Sequence, residues 1–203
     1  MLKSFKNGFT LAEVLITLGI IGVVAAMTMP TLMNSTNGAQ YRTAYKKALS
    51  VLSQAVVLNV ALDDYDLSQA TVSSNTDTTS ASLYALFNNR MNVVERSEQW
   101  NASNNTAVAF GGAATGNYTL FFNDGITFTF PKAAANCSEA KKCKGVIDIN
   151  GAKNPNKEVS CDANTSGNNC TVSNPTDIYP VVMYDQSILP STPAARAVLY
   201  GGK

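Results

Sequence analysis

The sequence contains no histidine. Ser-His and Cys-His nucleophilic systems are thereby excluded, together with every histidine metal ligand. Charge is scarce: 14% of the 203 residues are Asp, Glu, Lys or Arg, and the formal net charge is +1. A nucleic-acid binder needs a stripe of lysine and arginine facing phosphates, and none is visible, so no nucleic-acid partner is expected. P-loop and Gly-rich dinucleotide fingerprints are missing as well. Cysteine is limited to Cys137, Cys143, Cys161 and Cys170, with no C-x-x-C pair and with spacings wide for zinc. The single tryptophan, Trp100, sits in a polar stretch and reads as a half-buried packing residue rather than a partner hot spot. Ser138-Glu139-Ala140-Lys141 fits S-x-x-K, yet neither S-D-N nor K-T-G accompanies it, so it implies no catalytic role.

What the chain does have is one long apolar run. Across residues 9–29 nearly every side chain is apolar or small. At about 1.5 Å per residue, a helix over this stretch reaches roughly 30 Å, the thickness of a bilayer's hydrocarbon core. Only eight residues precede it, with Lys3 and Lys6 their sole charges. The positive-inside tendency therefore keeps the start of the chain in the cytoplasm and exports the residues beyond Pro30, although Arg42, Lys46 and Lys47 at the far end reduce the asymmetry. The four cysteines then lie where disulfides are permitted. Three pairings are possible; Cys137 with Cys143 and Cys161 with Cys170 close the least chain, and each bond contributes about 2–4 kcal/mol.

Glu13 is the one ionisable side chain in the run. A charge at the bilayer centre costs about 2.5–3.5 kcal/mol, and less near the edge. Glu13 therefore needs a cationic partner. It stands four positions after Phe9, one helical turn deeper. A cut between Gly8 and Phe9 would create an α-amino group at that end of the helix. The amine would meet Glu13 within its own chain or on a neighbouring subunit, and only the second specifies a register. Helices side by side in lipid gain little from hydrophobicity, so one ion pair and close approach at small residues decide their alignment. Ala12, Gly19, Gly22, Ala25 and Ala26 supply the small residues.

Gly8-Phe9-Thr10-Leu11-Ala12-Glu13-Val14-Leu15-Ile16, followed by Gly19, Gly22 and Pro30, resembles the N-terminus of type IV prepilins and type II secretion pseudopilins. The resemblance implies that a membrane aspartic peptidase, the prepilin peptidase, cleaves after Gly8 and that the new N-terminal Phe9 is methylated. It also implies that Glu13 guides assembly, that the helix between Gly22 and Pro30 loosens in a filament, and that inner-membrane machinery with a cytoplasmic ATPase drives extrusion. Local chemistry permits the loosening, since glycine weakens helix and Pro30 cannot donate to the Ala26 carbonyl. An ordinary secretory signal cut near Val24-Ala25-Ala26 leaves Glu13 unexplained; an uncleaved anchor gives neither Gly8-Phe9 nor Glu13 a purpose. In many pilins a single C-terminal disulfide closes a loop near the chain end. Here two candidate pairs precede a tail of over thirty residues, so that loop's receptor-binding role is not carried over.

Beyond Pro30, the positions Tyr41, Ala44, Tyr45, Ala48, Leu49, Leu52, Ala55 and Val56 recur at threes and fours, which predicts an amphipathic helix to about Leu62, kinked at Asn37-Gly38. Residues 63–117 read as a polar connection holding a short helix from Ser82 to about Val94. Residues 118–122 and 126–130 flank Asn123-Asp124-Gly125 as a hairpin. Residues 145–149 and 178–184 add strands, the last placed at a sheet edge because Pro180 cannot donate to a ladder. Asp148-Ile149-Asn150-Gly151, with Asn154 and Asn156, gathers oxygen ligands of a calcium type, but an Asn-Gly turn after a strand accounts for them, and neither metal nor cofactor is expected.

The expected architecture is α+β and pilin-like. A leader (1–8), a transmembrane or filament-core helix (9–29) and its amphipathic continuation (30–62) precede a head (63–203) whose small antiparallel sheet packs on the long helix. The expected role is structural rather than enzymatic: a subunit of a type IV pilus or type II secretion pseudopilus, single-pass in the bacterial inner membrane and then part of a periplasmic or cell-surface filament. Its expected partners are membrane lipid, the prepilin peptidase, the assembly machinery and other copies or other pilin-like subunits. A membrane-anchored extracytoplasmic binding or adhesion module that does not polymerise is the competing expectation.

Overall fold

The computed structural model describes residues 9–72, 78–97, 116–151 and 153–201. The leader and Trp100 lie outside them. The chain divides into two compact units, Met1–Asn37 and Gly38–Lys203, and helix α1 (Leu11–Asp63) contributes to both. The backbone stays helical through Asn37-Gly38. Gly38 has a packing reason instead, since a Cβ there would lie 3.2 Å from Cδ of Pro175.

In the second unit, α1 is followed by α2 (Leu83–Arg90), then strands β1 (Val93–Ser97), β2 (Asn117–Phe122), β3 (Thr127–Pro131), β4 (Cys143–Asp148), β5 (Ile178–Tyr184) and β6 (Ser187–Pro190), and finally α3 (Pro193–Tyr200). The strands form one sheet in sequence order, antiparallel throughout. This is the α+β pilin-like architecture, a long N-terminal helix with an antiparallel sheet.

The periodic positions of α1 do what their spacing demands. Tyr45, Ala48, Leu49, Leu52, Ala55 and Val56 are buried, with Tyr41 and Ala44 partly buried beside them. Their counterparts on the sheet form a row across four strands: Leu120 pairs with Phe128, Phe128 with Ile147, and Ile147 with Tyr179. Tyr45 stacks on Tyr179 with ring centroids 4.0 Å apart, and Phe87 of α2 meets Phe128 edge-on at 5.0 Å. Burying each such side chain contributes about 1.5–3 kcal/mol. Helix starts are capped: the Ser82 hydroxyl accepts the Ala85 N–H, and Thr192 accepts the Ala195 N–H with Pro193 at the first helical position. Arg90 at the end of α2 pairs with Asp63 at the end of α1.

Three expectations are corrected. The short helix ends at Arg90, and Val93-Val94 begin β1 instead. Strands β1 and β6 and helix α3 extend the head beyond the elements expected. Strand β5 lies between β4 and β6, not at an edge. Pro180 is tolerated there because it stands just past the end of the β6 ladder: its carbonyl accepts Ser191 N–H at 3.0 Å, while the β5–β6 pairing begins at Val181 opposite Pro190. No carbonyl of β6 is left waiting for the missing N–H.

Gly145 on β4 shows how tightly the side chains of neighbouring strands fit. A Cβ at this position would lie 2.8 Å from the Phe128 ring and 3.2 Å from Val181 Cγ2. Gly145→Val should therefore destabilise the head by about 1–3 kcal/mol through overpacking. The check is urea unfolding of the full chain in detergent; an unchanged midpoint would show that the Phe128 ring moves aside freely.

Candidate functional site

In the first unit, the segment Leu11–Met29 is a helix of 19 residues in which no side chain is buried. Its length is about 28 Å at 1.5 Å per residue, enough to cross a membrane. Leu11, Leu15, Ile16, Leu18, Ile20, Ile21 and Val23 all expose more than half their surface. Apolar area on this scale needs lipid or other helices around it. The hydroxyls of Thr17 and Thr28 bond back to the helix, Thr17 to the Glu13 carbonyl and Thr28 to the Val24 carbonyl, each at 3.0 Å, which suits an apolar surround.

Glu13 is held at the helix start by Thr10. The Thr10 N–H and Oγ–H both donate to Glu13 Oε2 at 2.8 Å, and the Glu13 N–H returns to Thr10 Oγ at 3.3 Å. This is a reciprocal capping box. It aims the carboxylate toward the N-terminal end, one residue from Phe9, and it occupies Oε2 while leaving Oε1 for a further donor. Thr10 thus shares the candidate site with Glu13, and the T-x-x-E spacing is its signal in the sequence. Phe9 is exposed, Gly22 has nothing within 4 Å of a notional Cβ, and Pro30 sits within α1. Gly8 lies outside the described residues.

A protein-family profile, the prokaryotic N-terminal methylation motif, matches residues 3–29. The chain carries the N-terminus of a prepilin-like or pseudopilin-like precursor. No curated protein and no solved structure matches the chain. The prepilin-like segment thus includes the Glu13–Thr10 box and the 19-residue apolar helix.

In the head, both cysteine pairs are disulfides, Cys137–Cys143 and Cys161–Cys170. The first is buried and tied into the core, with Cys137 N–H donating to the Leu67 carbonyl and Asp185 N–H to the Cys137 carbonyl. Within its loop, Ser138 Oγ accepts the Lys141 N–H at 3.3 Å, so the S-x-x-K residues make a turn. The second bond is half-exposed. In its loop, Asp162 accepts Ser173 N–H and Oγ–H and the Thr171 hydroxyl; the Ser173 N–H foremost holds its carboxyl below the usual range.

The turn after β4 is present. Asp148 Oδ1 accepts Asn150 N–H at 3.1 Å and Gly151 N–H at 3.0 Å, and Gly151 takes φ +66°. Burial pushes the Asp148 carboxyl up to about 7, opposed by the Asn150 and Gly151 N–H groups and assisted by nearby Asp177.

Replacing Thr10 by valine keeps the shape and the backbone N–H but removes the hydroxyl, which both donates to Glu13 and caps its N–H. The first turn of the helix should loosen by about 0.5–2 kcal/mol. Amide hydrogen exchange of the full chain in micelles reads this: faster exchange at residues 10–14 is expected, and unchanged protection would mean that the box contributes nothing.

Proposed function

We propose that the chain is a structural subunit of a type IV pilus or type II secretion pseudopilus, cut after Gly8 by a prepilin peptidase, methylated at Phe9 and polymerised through its N-terminal helix. The observation that carries this reading is one carboxylate, Glu13, fixed near Phe9 at the mouth of an unburied 19-residue apolar helix inside the matched methylation motif. On this reading residues 1–8 are the cytoplasmic leader, 9–29 the membrane and filament-core helix, 30–62 its continuation and 63–203 the head. The precursor is single-pass in the inner membrane with its N-terminus in the cytoplasm, and the product joins a periplasmic or cell-surface filament.

Cleavage turns the Phe9 nitrogen into a cation. Glu13 Oε2 is already engaged by Thr10, so Oε1 is the atom the amine meets, on the same chain or on the subunit arriving beside it. An ion pair made between chains fixes how far one helix slides along the next, which apolar contacts alone do not. Ala12, Gly19, Gly22 and Ala26 let backbones approach. Gly22 and Pro30 bracket the stretch that yields on packing, since Pro30 has no N–H to bond Ala26. Other copies or other pilin-like subunits, membrane lipid, and an inner-membrane machinery with its cytoplasmic ATPase are the partners this reading requires.

Mass spectrometry of the processed chain tests the reading directly. A mature N-terminus at Phe9 carrying a methyl group is expected; an intact Met1 would favour a non-polymerising membrane-anchored binding module, and a start after Ala26 a released protein.

Glu13→Ala separates anchoring from assembly. Membrane insertion should be retained, while incorporation into filaments falls by an order of magnitude or more. Equal incorporation of the variant would remove the aligning role from Glu13.

A further inference from the structure

Between α1, the end of α2 and the β2–β3 hairpin lies a cavity of about 260 Å3. Its walls are chiefly apolar: Ala48, Val51 and Leu52 of α1, Met91 just beyond α2, and Phe122 and Ile126 of the hairpin. All of them belong to the second unit. The volume falls just short of the roughly 300–1,000 Å3 of sites for drug-sized ligands, so the occupant is smaller than that class. Val51 is 39% exposed, so solvent reaches this wall.

One polar atom belonging to the lining is unsatisfied. Arg90 lines the cavity, and its Nε is buried with no hydrogen-bond partner, although the same guanidinium pairs with Asp63 through Nη2. A buried donor left unmade is costly. Charge around the cavity is already balanced, since Lys47 pairs with Asp124 at 2.8 Å and Arg90 with Asp63. An anion would find no surplus positive charge here and would approach the Asp124 carboxylate. The other polar lining residues, Asn92 and Asn123, are exposed. Water fills such a space poorly: an ordered buried water makes about three hydrogen bonds, and this wall offers one buried, unmet donor. Displacing loosely held water by an apolar group gains affinity. Phe122 contributes a ring and Met91 a thioether, both of which favour an aromatic occupant.

We propose that this cavity binds a small uncharged aromatic molecule carrying one acceptor oxygen, of the aryl ketone class, with Arg90 Nε–H donating to that oxygen. The apolar walls hold the ring, and the single donor fixes its direction. The site lies in the head alone and does not depend on how the N-terminal helix is used.

Amide shifts of Ala48, Leu52 and Ile126, followed by NMR in the full-length chain in micelles, test it with three probes. Partition of a probe into the micelles is common to every variant. Acetophenone should give saturable shifts at roughly millimolar concentration. Its shape analogue α-methylstyrene, with CH2 in place of the oxygen, and the anion benzoate should each bind at least about tenfold more weakly. R90K keeps the positive charge but lacks Nε–H, so it should bind acetophenone and α-methylstyrene alike. V51W, which places bulk at a partly exposed wall, should bind neither. No saturable shift in the wild type, equal binding of acetophenone and either analogue, a retained preference in R90K, or undiminished binding by V51W each overturns the proposal. The comparison of probes on the wild type decides the matter even if a variant fails to fold.

Discussion

On the proposed reading, water leaves Glu13 when the helix around it enters lipid or a bundle of like helices, and a carboxylate without water must keep hydrogen bonds and gain a cation. The structure supplies the first requirement locally, through Thr10. The second has no source inside the apolar run, which holds no lysine or arginine. On the proposed reading, that shortage is what couples processing to assembly. The two leader lysines are exchanged for an amine at the helix start, next to the one acid that wants it. The other polar groups of the segment are already occupied: Thr17 and Thr28 return to helix carbonyls. Glu13 is left as the sole specific feature on an otherwise greasy rod.

The later part of α1 is governed by different physics. One side of it is core, from Tyr45 to Val56, and the sheet presents a matching row of large apolar side chains. This part is held by shape and apolar area within its own chain. Val57, Leu58 and Leu62 remain exposed on the same stretch. Close fit, as at Gly145, makes the head particular rather than merely collapsed.

Much of this was legible from residue order because the relevant signals are local. The apolar run, the threes and fours of α1 and the Asn123-Asp124-Gly125 turn each depend on neighbours within a few positions. The missing pieces depend on distant ones. Strand β1 reads Val-Val-Glu-Arg-Ser and β6 only Ser-Ile-Leu-Pro; neither is long or alternating enough to declare itself, and both exist because a neighbouring strand offers a ladder. Pro180 misleads for the same reason: whether an absent N–H matters depends on where β6 stops, which its own surroundings in sequence do not say. Cysteine pairing was open among three choices until the fold brought the partners together. Thr10 and the Thr192-Pro193 start of α3 are different, being cap signals visible in the sequence that apolar periodicity ignores.

The unequal burial of the two disulfides has a consequence for the order of maturation. Cys137 is wholly enclosed and Cys143 nearly so, while Cys161 and Cys170 keep partial access to solvent. Thiol–disulfide chemistry requires an oxidant to reach the sulfur. The inner bond must therefore close while the polypeptide is still open, whereas the outer one stays available for oxidation or repair on the finished head. A chain that folds before it meets an oxidant would be trapped with the inner pair as thiols, and no later exposure to oxidant would mend it short of unfolding.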